Sequence, residues 1–153
     1  APVVDAARAA GIYVRGAMSC VVGCPYEGDV APSQVSHLAQ LMKSIGVQHV
    51  GVADTIGVGT PLKVQAAMEA TLKHYDLNDV SGHFHDTYGQ ALSNTLASLQ
   101  MGVWQFDTSV AGLGGLYLEG NPTGTGPFTL IYPTGRIIDP VKVTEFIRRA
   151  KGL

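Results

Sequence analysis

Charged side chains are scarce in this sequence: they make up 14% of its 153 residues, and the formal net charge is only -2. A chain without a basic excess has little with which to neutralise phosphates, so nucleic acids and acidic membrane surfaces are poor candidate partners. Cysteine is scarce as well, and the spacing of Cys20 and Cys24 fits neither a disulfide scaffold nor a zinc or redox pair. We therefore interpret both cysteines as free thiols.

Long hydrophobic runs are also missing, since no apolar stretch approaches the length that crosses a bilayer. The first ten residues have the pattern of an amphipathic helix with Asp5 and Arg8, and not that of a signal peptide. These features predict a cytosolic or matrix-resident chain. Hydrophobic residues nevertheless make up 46% of the sequence, which is enough to build one buried core.

Short β-branched runs alternate with longer helical patterns along the chain, and this alternation predicts an α/β fold with a parallel sheet. The predicted strands cover residues 12–19, 48–53, 80–85 and 103–110, and the predicted helices between them cover 32–44, 61–74 and 90–101. A last helix is predicted after Asp139, with Pro140 at its first position. Since a closed (β/α)8 barrel takes about 250 residues, four βα units predict either a small open sheet or about half of a barrel.

His83 and His85 form the densest polar cluster with Asp86. Residues two apart on a strand point to the same face, with Cα atoms roughly 7 Å apart, so both imidazoles can bind one divalent ion. Oxygen ligands in the remaining positions would favour magnesium or manganese over zinc. The alternative is a hydrogen-bonded pair of core or surface histidines, which is the commoner role for an isolated H-x-H pattern.

Polar or glycine-rich loops follow each predicted strand, at the end where parallel α/β folds place their active sites. Asp54 ends the second strand, where a carboxylate can act as an acid or base toward a substrate hydroxyl, or can instead brace its own loop. The loop 111–115 is rich in glycine and allows backbone amides to approach an anion. It lacks G-x-G-x-x-G followed by a helix, so a dinucleotide site is disfavoured.

Several long motifs occur in order with characteristic separations, and over residues 1–115 they resemble the 3-hydroxy-3-methylglutaryl-CoA lyase family. The motifs are Gly23-Cys24-Pro25-Tyr26-Glu27-Gly28, Asp54-Thr55-Ile56-Gly57-Val58-Gly59-Thr60-Pro61, His83-Phe84-His85-Asp86-Thr87-Tyr88-Gly89 and Ser109-Val110-Ala111-Gly112-Leu113-Gly114-Gly115. The resemblance implies the carboxy-terminal half of a (β/α)8 TIM barrel, followed by a divergent tail over residues 116–153.

The resemblance also implies a reaction, the cleavage of 3-hydroxy-3-methylglutaryl-CoA to acetyl-CoA and acetoacetate with Mg²⁺ or Mn²⁺. His83 and His85 match the family's metal ligands, and Asp54 matches an active-site aspartate near the substrate hydroxyl. Cys24 lies in a motif close to the site. For the family's asparagine ligand, an ungapped count reaches Thr125, and Asn121 takes that place only if the alignment slips. The family's setting is the bacterial cytoplasm or the mitochondrial matrix.

The chain departs from the family in its catalytic groups. The Arg-Asp pair of the family's amino-terminal half is absent, and Leu116 stands where the family has a catalytic cysteine. We therefore expect no activity from this chain alone, and a catalytically silent folding or association module is the alternative function. A half-barrel has two open edges and a barrel-facing surface that we expect to be largely apolar or small, which favours a homo-oligomer or a complementary half-barrel as partner.

Overall fold

A parallel sheet backed by helices organises residues 2–107, which are the residues that the computed structural model describes. The elements, in chain order, are α1 (Pro2–Ala9), β1 (Arg15–Met18), β2 (Gly23–Cys24), β3 (Gly28–Asp29), α2 (Pro32–Ser44), β4 (His49–Asp54), α3 (Pro61–Leu72), a 3-10 turn (Leu77–Asp79), β5 (Val80–Phe84), α4 (Ala91–Gln100) and β6 (Gln105–Asp107). Within these residues, none of the helices has the length and apolar character that a membrane crossing requires.

The sheet order is β1-β4-β5-β6, and all three pairings are parallel. This confirms the predicted α/β class, with strands adjacent in chain order. Each connection passes through a helix, as parallel neighbours require.

Helix boundaries follow the sequence closely. Helix α2 has the predicted limits, because Pro32 occupies its first turn and Gly46 follows its end at φ +90°. Residues 23–29, in the region after the first predicted strand, contain a short antiparallel ribbon of β2 and β3 that the sequence analysis did not predict. The predicted last strand begins at Gln105, and its predicted end, the glycine loop, the tail and the helix after Asp139 lie outside the described residues.

One face of the sheet packs against the helices and forms the core. Alternate residues of the strands, among them Met18, Val50, Val52 and Val80, are fully buried in one hydrophobic cluster with side chains of α2 and α3. The strand period of two puts these residues on the same side of the pleat.

The opposite face of the sheet carries small and polar side chains. The prediction that the barrel-facing side chains are largely apolar or small was therefore wrong in part, because several of them are polar or charged. The register aligns Ala17 with Gly51 and Ser81, and Ala53 with His83 and Asp107. Arg15 and His49 share this face one row earlier. Its polar groups bond to one another: both Arg15 Nη2 and His49 Nε2 lie within hydrogen-bond distance of Ser81 Oγ, at 2.7 and 3.0 Å.

Tyr75 follows α3, and its side chain is expected to make the protein less stable at alkaline pH. Its hydroxyl donates a hydrogen bond to the Val47 carbonyl at 3.1 Å, and burial, with a smaller contribution from Asp79, raises the pKa of Tyr75 to about 12. A raised pKa in the folded state favours the neutral phenol, so its stabilisation is complete below pH 10 and is lost as the pH rises toward 12. Urea unfolding should show a decrease of about 2 kcal/mol in this range that Tyr75→Phe lacks.

The matched control for Tyr75 is Tyr26→Phe, since Tyr26 is 94% exposed. That variant should follow the wild-type pH profile. Parallel profiles for Tyr75→Phe and wild type would contradict the prediction.

Candidate functional site

The carboxyl ends of the three consecutive strands β4, β5 and β6 meet at one rim of the sheet. Ala53 pairs with His83, which pairs with Asp107, and Asp54 pairs with Phe84. Asp54, His83 and His85 therefore lie at the same rim, as the sequence predicted.

His83 and His85 face each other at this rim. Their Nε2 atoms are 3.2 Å apart, and their ring centroids are 5.2 Å apart. Two nitrogens that each lie about 2.1 Å from one ion, at a right angle, are themselves about 3 Å apart, so the pair fits two positions of a divalent ion. Burial, with a smaller contribution from the charge of His83, lowers the pKa of His85 and so favours the neutral imidazole that binds metals.

The described part of the chain offers two candidate ligands for such an ion. No group of three or more His, Cys, Asp or Glu side chains with the geometry of a metal site occurs in residues 2–107. Asn121, the predicted further ligand, lies outside the described residues. The two histidines thus fit an ion whose remaining ligands come from elsewhere.

A network that the sequence reasoning missed lies beside the histidines. Asp107 Oδ2 is 3.3 Å from His83 Nδ1, and both oxygens of Asp107 accept hydrogen bonds from Arg15 Nη2 at 2.6 Å. Burial alone would raise the pKa of Asp107, but the hydrogen bonds from His83 and Arg15 and the charge of Arg15 outweigh it, so the pKa lies below its usual value. Asp107 is therefore an ionised carboxylate at neutral pH.

Asp54 points away from the histidine pair, toward the helix side of the sheet. It is fully buried, and its two oxygens accept hydrogen bonds from the backbone amides of Val58 at 3.1 Å and Gly59 at 2.8 Å. Burial raises the pKa of Asp54, and these hydrogen bonds offset only part of the effect. The placement supports the loop-bracing alternative, and a direct catalytic role for Asp54 stays a prediction.

Cys24 lies in the β2-β3 ribbon, paired with Gly28. Cys20 and Cys24 are both free thiols, as predicted, and both are half-buried. In the described region no hydrogen bond joins Cys24 to either histidine, and its catalytic role stays a prediction.

Comparisons with known proteins identify the family of this chain. The HMGL-like family model matches residues 1–129, past the residue 115 at which the motif resemblance ends. The chain is 47% identical over 131 residues to the mitochondrial hydroxymethylglutaryl-CoA lyase of Bos taurus, covering 85% of this chain and 40% of that protein. It is 49% identical over 123 residues to a 3-hydroxy-3-isohexenylglutaryl-CoA/hydroxymethylglutaryl-CoA lyase of Pseudomonas aeruginosa, covering 80% of this chain and 41% of the relative.

Solved structures give the same result for the fold. The crystal structure of a hydroxymethylglutaryl-CoA lyase from Pseudomonas aeruginosa superposes with a TM-score of 0.77 at 38% identity, covering 99% of this chain and 54% of that one. The HMG-CoA lyase from Brucella melitensis gives a TM-score of 0.76 at 39% identity, covering 98% and 49%. The chain thus spans about two fifths of the curated relatives and half of the solved chains. It belongs to the HMGL-like family, and its four parallel strands are part of a TIM barrel.

Proposed function

We propose that this chain contributes to a metal-dependent carbon-carbon lyase that cleaves 3-hydroxy-3-methylglutaryl-CoA to acetyl-CoA and acetoacetate. The single observation that carries the proposal is the pair of Nε2 atoms of His83 and His85, 3.2 Å apart at the rim where βα folds place their active sites. The names of the bovine and Pseudomonas relatives support the substrate class, an acyl-CoA. They also fit a mitochondrial matrix or a bacterial cytoplasm as its setting.

The reaction divides into steps that this geometry can serve. A base takes the proton of the substrate's 3-hydroxyl, the electron pair of the O–H bond forms the new carbonyl, and the carbon-carbon bond breaks to give acetoacetate and the acetyl-CoA enolate. An acid then protonates the enolate carbon. A divalent ion, Mg²⁺ or Mn²⁺ in the proposal, would polarise the hydroxyl when bound. His83 and His85 would hold that ion, and Asp54 braces the loop after β4 through the amides of Val58 and Gly59.

In this proposal the remaining catalytic groups come from outside this sequence. The sequence lacks the family's Arg-Asp pair and has Leu116 in place of a catalytic cysteine, so the chain alone should be inactive. Within residues 2–107, β1 and β6 are the edges of the sheet, and α4 exposes Leu92, Leu96 and Leu99 along one face. Open edges and an apolar stripe favour association, either with a second copy or with a complementary half-barrel.

Metal titration and a coupled acetoacetate assay test the proposal together. With only two imidazoles, binding should be weak and should favour Ni²⁺, Cu²⁺ or Zn²⁺ over Mg²⁺. His83→Ala and His85→Ala should each remove this binding, whereas His37→Ala, at an exposed histidine of α2, should leave it unchanged. Turnover should appear only when Leu116→Cys is combined with the segment of the Pseudomonas relative that this chain does not match, and His83→Ala should abolish it.

Two results would overturn the proposal or favour its alternative. If His83→Ala and His37→Ala bind Ni²⁺ equally, the histidine pair is not a metal site. If the Leu116→Cys chain associates with the added segment but no turnover appears, the catalytically silent association module is the better function, since residues 2–107 present only two candidate ligands.

A further inference from the structure

His83 has a second polar partner besides His85, on the side of its ring away from the pair. Its Nδ1 atom lies 3.3 Å from Asp107 Oδ2, while its Nε2 atom lies 3.2 Å from His85 Nε2. The carboxylate and the second imidazole therefore occupy opposite nitrogens of one ring. Asp107 is part of β6 and pairs directly with His83 of β5, so the sheet register itself brings them together.

An ionised carboxylate can only accept hydrogen bonds. In the contact with Asp107, the proton of a neutral His83 ring must therefore be on Nδ1, which leaves the lone pair on Nε2. This is the nitrogen that faces His85 and that a metal ion shared by the two rings would contact. A ring with the opposite tautomer would place two acceptors against each other at the Asp107 contact and a proton where the metal must bind.

Asp107 is in turn held in place from the far edge of the sheet. Arg15 of β1 reaches across β4 and β5 and contacts both oxygens of Asp107 through Nη2, and the same nitrogen donates to Ser81 Oγ at 2.7 Å. The side chain of Asp107 is 17% exposed and that of Arg15 is 34% exposed. A partly buried carboxylate with a cation on one side and an imidazole on the other has little freedom to turn.

We propose that Asp107 is a positioning residue for the metal ligand His83, that it selects the Nδ1–H tautomer and the ring orientation, and that Arg15 holds Asp107 in the geometry this requires. The inference deepens the proposed function and rests on its metal site. Metal-binding histidines commonly donate their other N–H to a carboxylate, and losing such a partner lowers metal affinity about 10- to 100-fold.

Two measurements on the full chain test this role, one without metal and one with Ni²⁺. In ¹⁵N NMR of histidine-labelled protein, His83 of the wild type should show the Nδ1–H tautomer, and Asp107→Asn should shift it toward a mixture. In titration with Ni²⁺, Asp107→Asn should bind about 10- to 100-fold more weakly. Asp107→Glu, which keeps the carboxylate, should restore part of the tautomer signal. Asp29→Asn is the matched control, because the side chain of Asp29 is 83% exposed and forms an ion pair with Lys63.

Asp107→Asn also removes the ion pair with Arg15, and this loss by itself lowers stability. Arg15→Gln removes the same ion pair but keeps the Asp107 carboxylate, so it serves as a second variant. Its Ni²⁺ affinity should lie between those of wild type and Asp107→Asn. An unchanged His83 tautomer with unchanged Ni²⁺ affinity in Asp107→Asn would overturn the inference while leaving the metal site standing. If instead His83→Ala does not weaken Ni²⁺ binding, the proposed function itself fails.

Discussion

Replacing Asp54 by alanine is expected to lower the free energy of unfolding by about 2–5 kcal/mol. The substitution removes the fully buried acceptor of two hydrogen bonds, one from the partly buried amide of Val58 and one from the buried amide of Gly59. Each buried donor left without a partner costs about 1–3 kcal/mol. Urea or thermal unfolding followed by circular dichroism measures the difference directly.

Two further variants show whether the loss comes from the buried hydrogen bonds. Asp29→Ala makes the same chemical change in an exposed ion pair with Lys63 and should lower the free energy of unfolding by no more than about 1 kcal/mol. Asp54→Asn keeps one acceptor oxygen and should lie between wild type and Asp54→Ala. Equal stabilities for Asp54→Ala and Asp29→Ala would show that the loop does not depend on Asp54.

Replacing Gly57 by alanine is expected to cost about 2–4 kcal/mol. Gly57 has φ +70°, a left-handed conformation that costs an L-residue about 1–2 kcal/mol. A Cβ atom there would also lie 2.6 Å from Thr87 Oγ1 and 2.9 Å from the Thr87 backbone nitrogen. Crowding of this kind adds about 1–3 kcal/mol. The same unfolding measurement applies.

Gly28→Ala separates the two contributions to the Gly57 effect. Gly28 has φ +78°, and a Cβ atom there would meet nothing within 4 Å, so its substitution carries the conformational cost alone. The excess cost at Gly57 then measures how tightly the loop after β4 packs on the loop after β5. Equal losses at the two glycines would mean that Thr87 moves aside freely.

Much of the fold follows from local sequence patterns. The β-branched run before Asp54 predicts the bounds of β4, and the helical period after Pro32 predicts those of α2, each within a residue or two. Both patterns have the period of their element, and a residue typical of loops follows each one. The rim position of His83 and His85 also follows, since residues two apart on a strand must share a face.

Long-range partners do not follow from such patterns. Arg15 and Asp107 are 92 residues apart, and only the finished sheet order brings them together. A sequence signal for the polar face did exist, in the alternation of Ser81, His83 and His85 and of Gln105 and Asp107. The β2-β3 ribbon, with two residues in each strand, is too short for any alternation to reveal it.

The contact between Arg15 and Asp107 has a consequence for how the chain assembles. Closing a loop of 92 residues carries a length-dependent entropy cost of about 4 kcal/mol, far more than a single partly exposed ion pair returns. We therefore expect the pair to form only after β4 and β5 have brought β1 and β6 close, among the last contacts made. Since Asp107 also contacts His83, the unfolded chain lacks an oriented metal ligand. An ion that binds the oriented ring therefore binds the folded state, and by mass action it raises the free energy of unfolding of the whole sheet.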